Sequence, residues 1–376
     1  MCERTLDREV ASDPEGYVRV LKVVFTVGFG AALVAAWLGD VFESAPLALT
    51  PRVFWTVVMP LVPIGFVLFG FHAWRKVCPI ATVGSWGARF HQRGRSAPTF
   101  WRTHAMSIGL LILMVTLVFR LVATNGDGVA LAVFLALLGL GAFAFNALWG
   151  GRSFCHYACP VGVVERIYTD AAGPVIPRTA PSDESSRCEP CTGCTKSCAD
   201  IDGDRAYERT VNESDRRRVF YAFPGVVFAF YFYFWLRAGD WEAYFDGRWT
   251  AVPLDEALVM GPGFFFAPQV PALVAASLAI FGLAALSWAI FSTIERVLRR
   301  RWSDALALRH RMLTLASFTA FNVFYVFAGA PTLRLVPGLS RFVAFAVPIV
   351  ATIVLARRLL RGRSTNGKLR LQVVGS

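Results

Sequence analysis

The chain of 376 residues is 55% hydrophobic and only 17% charged, with a mean hydropathy of +0.50, whereas a soluble domain carries about 25% charged residues. Its apolar residues come in blocks of about 20, long enough to cross a hydrocarbon layer of ~30 Å as helix, which excludes an ordinary soluble enzyme. An outer-membrane barrel is excluded as well, since it would alternate polar and apolar residues in strands of about ten. The net charge of +12, from 38 Lys+Arg against 26 Asp+Glu, follows from membrane topology and does not call for nucleic acid as a partner.

In chain order, eight spanning helices are expected, at about 18–38, 51–74, 103–124, 128–149, 219–238, 266–292, 311–330 and 340–360. Each lacks a run of charges and is bounded by polar or Gly/Pro-rich stretches. The first 17 residues are polar and charged and the first apolar block is too long for an h-region, so no cleaved signal peptide is expected. Pro60 and Pro63 should kink the second helix, which neighbouring helices can tolerate in a membrane. Arg120, near the outer end of the third, is the one formal charge well inside a span. It either snorkels or meets a carboxylate or a quinone oxygen.

Two connections are long. The inner segment 150–218 carries six of the eight Cys. The outer loop 239–263 holds Trp241, Tyr244, Phe245 and Trp249, expected at the membrane interface as an aromatic belt or short amphipathic helix, with a partner or quinone contact as the other reading. The chain thus divides into a four-helix membrane half (1–149), a cytoplasmic insert (150–218) and a second four-helix half (219–376). The expected fold is an all-α integral membrane protein with a ferredoxin-like iron–sulfur insert.

Orientation follows from the cationic residues. With the N-terminus inside, the inner segments hold 32 of the 38 Lys and Arg; the outer side keeps Arg52, Arg120, Arg237, Arg248, Arg334 and Arg341. Acids divide 18 inside and 8 outside, so the two sides carry +14 and −2. Both termini are therefore expected in the cytoplasm, in the inner membrane. An acidic electron carrier could dock on the basic face.

The strongest motif is CEPCTGCTKSCAD, with Cys188-x2-Cys191-x2-Cys194-x3-Cys198. This is the bacterial ferredoxin run for a 4Fe–4S cubane. Short spacers let a loop wrap thiolates around one cluster while backbone amides point at the sulfurs, and Pro190 and Gly193 suit such a loop. Structural zinc typically uses two Cys-x2-Cys knuckles a dozen or more residues apart, and that gap is missing. A cytoplasmic face disfavours disulfides. Ala199 stands where ferredoxins usually place Pro, and the fourth Cys of such a run can serve another cluster, so the fourth ligand stays open.

FCHYACPVG places Cys155-x3-Cys159-Pro160 at the inner end of the fourth helix, and KVCPIATVG places Cys78-Pro79 at the inner end of the second. These Cys-Pro dipeptides occupy corresponding places in consecutive helical hairpins, a weak internal repeat, and such repeats often bracket a site. If residues 155–159 remain helical, the i,i+4 spacing puts both thiols on one face. A second cluster could draw on Cys78, Cys155, Cys159 and either Cys198 or Cys2. Thiols for redox exchange or metal transfer, and cysteines packed at helix ends, are the alternatives.

FCHYACPVG followed by a ferredoxin run among membrane helices resembles the membrane polyferredoxins. That superfamily includes quinol-linked subunits of periplasmic nitrate reduction, maturation proteins of nitrous-oxide respiration and FixG-type oxidase-assembly proteins. The resemblance covers roughly residues 50–240. It implies two 4Fe–4S clusters on the cytoplasmic side and electron passage to or from the quinone pool. This chain departs from the pattern in having one ferredoxin run, and Trp74 where the first Cys-Pro motif would carry a leading Cys.

His72, His91, His104, His156 and His310 all fall in or near the inner face. His72, His104 and His310 sit at inner helix ends, where a bis-His haem is conceivable; His72 and His156 could also serve a quinone proton or the second cluster. The outer half contains neither Cys nor His. Electrons would therefore stay on the cytoplasmic side, enter the quinone pool, or pass to a membrane partner subunit. The function expected is a relay of single electrons between a cytoplasmic redox partner and quinone or that subunit, with no acid–base catalytic set. The alternatives are an assembly or maturation factor for a respiratory metalloenzyme, and a redox sensor with a structural cluster.

Overall fold

The computed structural model describes residues 15–41, 49–91, 97–174, 203–252, 254–335 and 338–361. It is 82% helical. Six of its helical stretches are long and apolar enough to cross a membrane, among the described residues: Val18–Gly39, Ala105–Thr124, Gly128–Trp149, Ser214–Ala238, Ala272–Arg299 and Ala305–Leu333. The chain is an integral membrane protein of helical type.

The first half begins with α1 (Glu15–Val41) and α2 (Thr50–Val53). A π-turn over Phe54–Val58 then leads into α3 (Met59–Val77). The break expected from the prolines is this π-turn. Pro60 offers no N–H and its ring crowds the carbonyl of Thr56, so the hydrogen-bond ladder is interrupted one turn earlier, while α3 runs on through Pro63. Short α4 (Pro79–Gly87) and α5 (Thr99–Thr103) precede α6 (Ala105–Phe119), which closes in a second π-turn, Arg120–Thr124. Helix α7 (Gly128–Trp149) is capped by Asp127, whose side chain accepts from the amide of Ala130. Two short helices, α8 (Ser153–Tyr157) and α9 (Pro160–Thr169), complete this half.

After residues 175–202 the chain continues in α10 (Gly203–Thr210) and α11 (Ser214–Ala238). The connection after α11 folds into α12 (Glu242–Phe245), a 3-10 turn over Arg248–Ala251 and α13 (Glu256–Met260). A two-stranded antiparallel hairpin follows, β1 (Pro262–Phe264) and β2 (Ala267–Pro271). Helices α14 (Ala272–Arg299), α15 (Ala305–Phe327), α16 (Ala330–Leu333) and α17 (Leu339–Arg361) end the described chain. The sixth expected helix therefore starts six residues later than the apolar run suggested. Pro268 and Pro271 suit an edge strand and not a helix interior.

Helix α11 is the axis of the bundle: 72% of its membrane stretch is buried inside the protein, against 6% for α1, which is left to lipid. Small residues let α14 approach it. A Cβ on Gly225 would lie 2.1 Å from the Leu283 carbonyl oxygen, and Ala275, Ala276 and Ala279 are buried at the same seam. Of the four aromatics of segment 239–263 expected at the interface, Trp241 and Phe245 are half-buried and the other two lie inside the protein. Tyr244 and Trp249 are buried, with their rings against Phe234. Tyr244 donates its hydroxyl hydrogen to the Phe327 carbonyl at 2.8 Å.

Polar anchors fix the end opposite that segment. Asp215 on α11 accepts hydrogen bonds from the amides of Met106 (3.1 Å) and Ser107 (3.4 Å), so a residue remote in sequence caps α6. Arg216 pairs with buried Asp170, at the end of α9. Both limits of 175–202 are thereby tied to the bundle.

Candidate functional site

The ferredoxin run Cys188, Cys191, Cys194 and Cys198, together with Cys2, lies outside the described residues. The other three thiols, Cys78, Cys155 and Cys159, come together at the end of the bundle where α3 and α7 finish.

Each Cys-Pro dipeptide makes the same elbow. Cys78 (φ −58°, ψ 124°) leaves α3 and precedes Pro79, the first residue of α4. Cys159 (φ −69°, ψ 119°) precedes Pro160, the first residue of α9. Proline drives the residue before it out of the helical region, and at N1 it lacks only an N–H that would have been unpaired. Each cysteine therefore sits at a helix N-terminus, and its carbonyl accepts from the first turn: from the Thr82 amide at 3.0 Å for Cys78 and from the Gly162 amide at 3.1 Å for Cys159.

Residues 155–159 do not form one continuous helix, contrary to the simplest reading of their spacing. Helix α8 stops at Tyr157 and the chain turns, with the amides of Ala158 (2.9 Å) and Cys159 (2.8 Å) both donating to the Phe154 carbonyl. The two thiols meet across that turn. Gly162 makes the packing possible, because a Cβ there would lie 2.7 Å from the Cys155 carbonyl oxygen and 3.3 Å from the Cys159 Cβ.

Asn146, almost fully buried on α7, positions the whole assembly. Its Oδ1 accepts from the Phe154 amide (2.9 Å) and the Ser153 hydroxyl (3.1 Å), fastening the start of α8. On the other side of Asn146 lies Gly84 of α4, where a Cβ would come within 2.5 Å of Nδ2. At the first elbow, position 74 carries a ring in place of a thiol: Trp74 packs edge-on to Phe25 of α1, with centroids 6.2 Å apart.

A buried ion pair, Arg75 Nε to Glu165 Oε1 at 2.8 Å, spans from α3 to α9 beside the thiols. Cys155, Cys159 and Gly162 line a narrow, closely packed cleft with Ala105, His156 and Arg166. Arg166 and His156 are within hydrogen-bond reach at 3.1 Å.

Burial pushes the Cys78 thiol up to about 12, with the neighbouring Cys155 adding to the rise and the amides of Ala81 and Ile80 opposing it. Cys159 is raised well above the ordinary thiol range, first by burial and then by Cys155 and Cys78. Cys155 is buried and Cys78 and Cys159 are half-buried, and neighbouring thiols of this kind disfavour one another's ionised form. Cysteine sulfurs are soft donors of the kind that bind transition metals. No three His, Cys, Asp or Glu among the described residues close on a single-ion position. A cubane differs in that its thiolates bind separate irons.

The histidines go to separate duties. His310 Nδ1 meets the Tyr207 hydroxyl at 2.9 Å, and His104 Nδ1 lies 3.1 Å from the Phe100 carbonyl. His91 packs under Gly150, where a Cβ would come within 2.6 Å of its ring. The side chain of His72 lies outside the described residues. Sequence reasoning missed Arg75, Asn146 and Glu165. Glu165 carried a usable signal, being a lone acid within the apolar stretch PVGVVERIY.

No protein-family model, no curated protein and no solved structure matches this chain.

Proposed function

We propose that this protein is a membrane iron–sulfur electron carrier that relays single electrons between a cytoplasmic redox partner and the quinone pool or a membrane partner subunit. In this reading the chain crosses the bilayer eight times with both termini in the cytoplasm. The carrying observation is the meeting of Cys78, Cys155 and Cys159 from two separate hairpins, around matching Cys-Pro elbows.

Cys188, Cys191 and Cys194 would hold one 4Fe–4S cluster, with Cys198, Cys159 or Cys78 as the fourth ligand. Cys78, Cys155 and Cys159 would supply three ligands of a second, completed by Cys198 or Cys2. When bound, such clusters supply one-electron chemistry. The chain's own groups do the rest. The first turns of α4 and α9 open at the cysteine elbows, and the Arg75–Glu165 pair sets the charge beside them.

The test is iron and sulfide quantitation with EPR on protein purified without oxygen, repeated for Cys78→Ser and Cys159→Ser. About eight irons per chain, falling to about four in either variant, is the expected result for two cubanes. Four irons unchanged by both substitutions would remove the second cluster, and an iron-free folded protein would end the proposal. Reoxidation of the reduced clusters by quinone in membranes distinguishes the relay from an assembly role.

A further inference from the structure

At the other end of α6, fifteen residues or about 22 Å from Ala105, Arg120 stands without an acid. Its guanidinium lies 4.1 Å from the Trp55 ring centroid, 4.4 Å from Phe230 and 5.9 Å from Trp249. Among the described residues it makes no ion pair, and its buried Nε has no hydrogen-bond partner. Arg120 is half-buried, and cation–π contact, worth about 0.5–2 kcal/mol, gives its Nε–H no acceptor.

The walls offer it no carboxylate. Their polar groups are committed elsewhere: Trp55 Nε1 to the Thr124 carbonyl (2.8 Å), Trp249 Nε1 to the Tyr244 carbonyl (3.0 Å), the Tyr244 hydroxyl to Phe327 and the Thr56 hydroxyl to Arg52. Tyr231 also lines the space, and its hydroxyl makes no hydrogen bond among the described residues. Room remains for about 20 Å³, enough for one water-sized group. That suits an oxygen atom reaching in and not a whole ring.

Two independent features mark the same spot. Both π-turns of the described chain, Phe54–Val58 and Arg120–Thr124, meet at this cavity, and π-turns concentrate at functional sites. Two further arginines lie in neighbouring segments. Arg52 lies beside Gly247, and Arg334 stacks over Phe245 at 4.1 Å.

We propose that Arg120, with Tyr231, forms an oxyanion site on the membrane face opposite the cysteine elbows, taking a phosphate oxygen. Arginine binds phosphate through paired N–H donors. The phosphate can belong to a lipid headgroup or be free in solution; both present the same oxygens. The site is independent of the electron-transfer reading.

The experiment uses the full chain in neutral detergent, with Trp55 and Trp249 as built-in fluorescence reporters. Short-chain phosphatidylglycerol, inorganic phosphate and a diacylglycerol of the same chain length are titrated separately. Saturable binding of the phospholipid, weakened at least tenfold in Arg120→Gln and partly restored in Arg120→Lys, is expected. Equal binding of inorganic phosphate would identify the soluble anion as the source. Binding of diacylglycerol with similar affinity, the lack of any saturable response, or an unaltered Arg120→Gln would overturn the site. Should Arg120→Gln not fold, Tyr231→Phe replaces it: a severalfold loss of phosphate affinity is expected, and no loss counts against the proposal.

Discussion

Arg75 and Glu165 form an ion pair of 2.8 Å whose side chains are 2% and 4% exposed, and this pair joins the two Cys-Pro elbows. A buried pair contributes little over apolar packing, but breaking it strands a charge at a cost of about 3–5 kcal/mol. Glu165→Gln should therefore lower thermal stability in detergent more than the double change Arg75→Met with Glu165→Leu. A single variant as stable as the parent would show that the pair does not hold the elbows together.

Gly162→Ala tests the turn. The added methyl would meet the Cys155 carbonyl at 2.7 Å, and backbone shifts of this kind cost about 1–3 kcal/mol. Loss of metal with helix content retained is expected, measured by iron analysis and circular dichroism. Full iron loading would mean that the thiols tolerate displacement.

The raised thiols predict slow alkylation of metal-free protein. With Cys78 moved from 9.0 to about 12, the thiolate fraction at pH 8 falls about a thousandfold. Iodoacetamide should label Cys78 far more slowly in the native than in the denatured chain, as mass spectrometry can follow. The folded thiol keeps its proton to higher pH than the unfolded one, so the metal-free fold loses stability as pH rises from about 9 towards about 12. Equal labelling rates in the two states would contradict the burial.

Asp215→Ala removes the cap on α6. The loss should be about 1–2 kcal/mol, typical of a helix cap, and is read as an earlier unfolding transition. Asp215→Asn should recover part of it, because an amide oxygen still accepts from Met106 and Ser107. Unchanged unfolding of the alanine variant would show that those amides find other partners.

Hydropathy revealed the membrane helices because a bilayer demands a minimum apolar length whatever the packing. It failed at PGFFFAPQVP, where an apolar run hid a hairpin that only the prolines betrayed. The Cys-Pro elbows were visible as a repeat, since proline acts through its own covalent geometry. Their convergence depends on Asn146 and Gly162, and neither announces a long-range contact. Arg120 stood out as a charge in a span, but its aromatic enclosure needed the outer segment to fold inward. Trp249 looked like an interfacial anchor and is instead part of that enclosure.

The crossing of α4 and α7 is made of main chain: a Cβ on Gly87 would fall 2.1 Å from the Phe143 carbonyl oxygen. Such a joint has almost no compliance, because no side-chain rotamer can yield. Bilayer thickness and the pull of a docked partner must therefore move Cys78 together with α7, as one rigid piece. Apolar replacements on the lipid-facing surface can then drift freely without altering the spacing of the sulfurs.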